Sequence, residues 1–174
     1  MDATEREEVQ AVRHLVRMET VGYEFYDRLA ARTEDPKGRQ LFERLRDEEI
    51  EHMQLGRQYL HELLGDEEAA RILASDVLDE GPFAGWWVFP PAGDQRVDAR
   101  TEEVQAVQVA IDAEKRSEEF YRDRLTRTDD EKGRWMYEKL AAMEHRHVQL
   151  LAWELDYLTK TGYWMDIAEF DVED

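Results

Sequence analysis

The chain has 174 residues, with 42 Asp and Glu against 23 Lys and Arg, a net charge of -19 and no cysteine. That length supports one hydrophobic core of ordinary size, and the absence of cysteine excludes disulfides, thiol catalysis, zinc ribbons, iron–sulfur clusters and a rubredoxin-type iron centre. The acidic balance excludes the basic footprint of a nucleic-acid partner.

The first twenty residues are charged throughout and carry no secretory pattern. Apolar side chains at Val9, Val12, Leu15, Val16, Tyr23, Tyr26 and Leu29 then recur at the 3.6-residue period, which predicts a helix over about 4–32. The turn at 32–38 contains Asp35 before Pro36, a helix start signal. A second helix over about 36–64 places Phe42, Leu45, Leu55, Tyr59 and Leu63 on one face and stops at Gly65. Residues 65–97 form a crossover with one short amphipathic helix at 67–78, followed by a Gly/Pro/Trp-rich stretch. Its apolar run, 82–93, is broken by proline and too short to span a membrane, so a soluble, cytoplasmic protein with no membrane partner is expected. The aromatics of 81–90 predict a lid over the bundle or a subunit interface. Two further helices, about 98–127 and 131–160, precede a tail at 161–174 whose Tyr163, Trp164, Met165, Ile167 and Phe170 predict docking onto the bundle or onto a second copy. Each long helix runs roughly 42 Å.

The second pair of helices repeats the first. Sliding the chain by 95 residues aligns EEVQAV at 7–12 with EEVQAV at 102–107, and residues 7–63 match 102–158 at 24 of 57 positions without a gap. Two tandem helical hairpins joined by a long crossover give an all-α, ferritin-like four-helix bundle, read here as a single domain over 1–174.

Charged residues interrupt the apolar stripes at corresponding places. Glu19 lies between Val12/Val16 and Tyr23/Tyr26, and Glu49 with His52 between Leu45 and Leu55. Glu114 lies between Val107/Ile111 and Tyr121, and Glu144 with His147 between Leu140 and Leu151. Glu and His three apart share a helix face. Glu19 and Glu49 each stand about fifteen residues from the first turn, so an antiparallel hairpin brings them to one level, and the second turn does the same for Glu114 and Glu144. Four carboxylates in a dry core repel one another and carry a heavy desolvation cost. Two divalent cations balance four Glu and two neutral His, and this donor set suits iron, with manganese or zinc as alternatives.

Glu19 with Tyr26, the run Glu49-Ile50-Glu51-His52, Glu114 with Tyr121, and Glu144-His145-Arg146-His147 together resemble the rubrerythrin/erythrin branch of the ferritin-like superfamily, in members lacking the rubredoxin domain. The resemblance implies a di-iron centre in which Glu49 and Glu144 bridge, Glu19 and Glu114 are terminal, and His52 and His147 each complete one metal. These six would then be both the metal ligands and the catalytic residues. Tyr26 and Tyr121, two turns beyond Glu19 and Glu114, are expected to hydrogen-bond a ligand carboxylate across the bundle.

One departure stands out. Rubrerythrins usually carry a further carboxylate one turn after the third-helix Glu, where this chain has Ser117, with Gly22 at the matching place in the first repeat. Glu118 is expected to be a solvated helix charge. His14 and His61, which have no counterpart in the other repeat, are expected at the surface or an interface, and His145 is expected to point away from the centre. The expected function is an oxidoreductase that reduces hydrogen peroxide, or O2, with two ferrous ions. A separate donor protein would return the electrons, since no cysteine supplies an internal relay, and a homodimer is expected. A ferroxidase or iron-storage protein is the alternative, and a metal-free interaction bundle the third reading.

Overall fold

The computed structural model describes residues 3–75, 83, 86, 88–90 and 103–166. The helices are α1 (Ala3–Arg32), α2 (Pro36–Leu64), α3 (Asp66–Leu73), α4 (Glu103–Arg127) and α5 (Glu131–Thr161), and no strand occurs among the described residues. α1 packs along α2, α4 along α5, and the two hairpins meet through α2 and α5. This is the expected all-α, ferritin-like four-helix bundle. Among the described residues no helix is long and apolar enough to cross a membrane.

The same turn is built twice and sets the register of both hairpins. Asp35 accepts a hydrogen bond from the Lys37 amide (2.8 Å) at the start of α2, and Asp130 accepts one from the Gly133 amide (2.8 Å) at the start of α5. Arg39 donates back to the Thr33 carbonyl (3.2 Å), and Arg134 to that of Thr128 (3.1 Å). These contacts tie each turn to the helix that follows it. Two helices of near-equal length then run antiparallel from a fixed point, which is why residues equally far from a turn meet at one height.

The core is continuous from Val9, Val12 and Leu15 through Phe25, Leu41 and Leu45 to Val107, Phe120, Leu140 and Leu151. Burying one such side chain stabilises by about 1.5–3 kcal/mol. Crossover residues contribute as well. Phe83, Val88 and Phe89 are buried, and Trp86 packs edge-on against Phe120. The expected lid is therefore present where the crossover is described, and the rest of 81–90 lies outside those residues.

Three expectations change. The short helix ends at Leu73 rather than 78, because the Ser75 amide folds back to the Ile72 carbonyl in a tight turn (3.2 Å); residues 76–78 lie outside the described ones. His14 is buried, not at the surface. Its Nε2 lies 3.0 Å from the Trp86 carbonyl, and its ring packs between Phe83 and Phe120. The tail docks through Trp164, which covers Gly38, meets Phe42 edge-on and donates to Glu103 (3.0 Å), whereas Tyr163 is 72% exposed. Gly162, with φ at 75°, ends α5 and turns the chain back onto the bundle. Ile167 and Phe170 lie outside the described residues, as do 98–102 at the expected start of the third helix.

Candidate metal centre

Halfway along the bundle the apolar layers part around a polar one. α1 brings Glu19, α2 Glu49 and His52, α4 Glu114, and α5 Glu144 and His147, each of them at most 2% exposed. The six side chains expected to converge do so.

His52 Nδ1 lies 3.0 Å from a Glu49 oxygen, 3.2 Å from Glu144 Oε1 and 3.5 Å from Glu19. His147 Nδ1 lies 3.3 Å from Glu144 Oε2 and 3.5 Å from Glu114. Glu144 thus points one oxygen at each histidine. The two imidazole rings are nearly parallel, with centroids 5.3 Å apart. Donor atoms gather in two main groups, Glu19/Glu49/His52/Glu144 and Glu49/Glu114/His147, each within 4.8 Å. Glu49 belongs to both groups, and Glu144 joins His52 and His147 in a third.

The tyrosines close the layer from the other side of the core. Tyr26 of α1 donates to Glu114 of α4, and Tyr121 of α4 donates to Glu19 of α1. Each hairpin thereby holds a carboxylate of the other, in the expected cross-bundle pattern. Even so, both oxygens of Glu49 and of Glu144, both nitrogens of His52, Nδ1 of His147, and one oxygen each of Glu19 and Glu114 make no hydrogen bond among the described residues. Native proteins rarely leave a buried polar atom unsatisfied, so this much orphaned donor capacity in one layer fits cation coordination. Oxygen and imidazole donors without sulfur suit iron or manganese, and zinc less specifically.

The electrostatics point the same way. Burial, followed by the neighbouring charge of Glu114, pushes the Glu144 carboxyl up to about 8, and burial with Glu19 raises Glu49 strongly. Burial alone would raise Glu114 too, but the His147 charge and hydrogen bonds from its neighbours hold it at about 2. Burial likewise opposes protonation of His52 and His147, yet the surrounding carboxylates raise both well above the ordinary histidine range. Without cations, the layer relieves its own repulsion by holding protons.

Several residues fall outside this layer. Glu118 is half-buried and pairs with Arg122 and His145 instead of being fully solvated. His145 is exposed, and His61 pairs with Asp66 near the surface. Ser117 turns its hydroxyl to the Met18 sulfur (3.8 Å), while Gly22 is covered by Phe89, which a Cβ there would meet at 2.8 Å. The described residues therefore place no further carboxylate at either of these positions.

Sequence reasoning missed Glu48. Its Oε2 lies 2.7 Å from His147 Nε2, and its Oε1 accepts from Arg44 at 2.9 Å. Burial would raise this carboxyl, but His147 and Arg44 bring it down to about 2. Adjacency to Glu49 was the only local signal, and it puts the two side chains about 100° apart on the helix.

Compared with known protein families, the sequence matches the family described as Rubrerythrin over residues 16–155, most of the chain and all six carboxylates and histidines of this layer. No curated protein and no solved structure matches it.

Proposed function

Because the chain belongs to the rubrerythrin family, we propose that it is a di-iron oxidoreductase whose oxidising substrate is hydrogen peroxide. Support comes chiefly from one observation: four Glu and two His with unsatisfied donor atoms share a single buried layer, where Glu49 and Glu144 stand between two histidine-bearing halves. Glu19, Glu49, His52, Glu114, Glu144 and His147 would hold the ions, and the four carboxylate charges would neutralise two divalent cations.

When bound, a ferrous pair supplies the two electrons that, with two protons, reduce one hydrogen peroxide to two waters. The remaining work belongs to the protein. Tyr26 and Tyr121 fix the Glu114 and Glu19 carboxylates by donating to one oxygen of each, which leaves the other free. The aromatic lid and the leucine layers keep bulk water from the centre. With no cysteine in the chain, a separate donor protein would return the electrons.

A ferroxidase is the second reading, favoured by Gly22 and Ser117, which leave the centre with six ligand side chains. Rapid mixing of anaerobic, iron-loaded protein with peroxide and with O2 separates the two. Peroxide should oxidise the iron faster, and a clear advantage for O2 would replace the peroxidase by the ferroxidase. Light scattering adds a check, since iron storage needs a large hollow assembly. Protein purified without chelator and carrying less than about one equivalent of transition metal would sink both readings.

A further inference from the structure

The repeat makes the centre nearly symmetric, and one position breaks that symmetry. Shifting by 95 residues carries His52 onto His147 and Glu49 onto Glu144, but carries Glu48 onto Met143. Met143 is 4% exposed, and a thioether is at best a weak acceptor. The two imidazoles consequently have different surroundings. His147 Nε2 is 2.7 Å from the Glu48 carboxylate, which Arg44 anchors in turn, while His52 Nε2 is buried with no hydrogen-bond partner among the described residues.

We propose that Glu48 acts as a positioning residue that makes the two metal positions unequal, so that the position completed by His147 fills first and the one completed by His52 fills second and more weakly. The inference rests on the di-metal reading above. A carboxylate that accepts a hydrogen bond from Nε2–H leaves Nδ1 of the neutral ring as the unprotonated nitrogen. It also fixes the plane of the ring and makes the imidazole a stronger ligand. His147 has this support on the face away from Glu114 and Glu144. Among the described residues His52 has no such support at Nε2, so its ring plane is left to be organised by the ion itself. Outer partners of this type are worth roughly 10–100-fold in metal affinity.

Full-length protein stripped with chelator and titrated with Co2+ under anaerobic conditions tests this through the visible bands of the bound ion. Two successive one-equivalent steps are expected, separated by about tenfold or more. Glu48→Met should weaken the tighter step by about 10–100-fold and merge the two. Glu48→Gln, whose amide oxygen can still accept a hydrogen bond from the imidazole N–H, should retain part of the separation. Met143→Glu gives the other half a carboxylate and should strengthen the weaker step, which keeps the idea open to test if Glu48→Met fails to fold. Uptake of two equivalents in one unresolved step, or two steps unmoved by Glu48→Met in a protein of unchanged helicity, would overturn the inequality and leave the di-metal centre standing. No uptake at all would overturn both.

Discussion

Tyr121 shows how much one hydroxyl carries. It crosses from α4 to hold a Glu19 oxygen in a layer where both residues are fully buried. Tyr121→Phe keeps the ring and its edge contact with Phe120 but leaves that Glu19 oxygen without a donor. The loss should be about 1–3 kcal/mol in urea unfolding of the chelated protein, whereas Tyr163→Phe, at an exposed side chain, should change nothing measurable. An equal effect of both substitutions would mean that the cross-bundle bond contributes no stability. The six Glu and His of the layer were legible because each breaks an apolar stripe at a position matched 95 residues away in the other repeat. Glu48 was not, because its partner lies 99 residues away on another helix and the repeat replaces it by methionine. His14 misled for a related reason: the groups that bury it, Phe83 and Trp86, come from the crossover, and no periodicity on α1 reports them.

At the scale of elements, the repeated turn places the same glycine under different neighbours. Gly133 lies beneath Tyr59 of α2, while Gly38 lies beneath Trp164 of the tail. A Cβ on Gly38 would meet the indole at 2.5 and 2.6 Å and the Thr33 methyl at 2.8 Å. An aromatic ring cannot bend aside as a flexible chain would, so Gly38→Ala should lift Trp164 from Phe42 and break its bond to Glu103. The expected cost is about 1–3 kcal/mol, and limited chymotrypsin digestion should cut after Trp164 faster than in the parent protein. Unchanged digestion would show that the indole is not held at this glycine. The four long helices could be read from period and caps alone, since those signals are local. Docking of Trp164 could be expected only in general terms, because the groups that receive it come from both α2 and α4.

For the whole molecule, the buried layer sets how stability responds to pH. In the metal-free protein Glu144 is raised to about 8, and Glu49, His52 and His147 are raised as well. Between the ordinary carboxylate value of 4.5 and about 8, the folded layer therefore binds more protons than the unfolded chain, and stability falls as pH rises through that window. The histidines act with the same sign above their ordinary 6.5. Glu114 and Glu48, each at about 2, act oppositely, so their contribution is present above 4.5 and lost as pH falls toward 2. Chelated protein should thus be most stable near about pH 5 and lose melting temperature toward pH 8.5. Bound cations require the deprotonated ligands, so the metal-loaded protein should gain stability relative to the chelated form across the same interval. The chain's net charge of -19, carried largely by exposed acids, also disfavours the folded state as pH rises. Melting curves in about 0.5 M salt separate the two effects, because salt screens exposed charges far more than a layer sealed in the core. If chelated and loaded protein follow parallel curves from pH 5 to 8.5 in that salt, the protons are not where metal ions would bind.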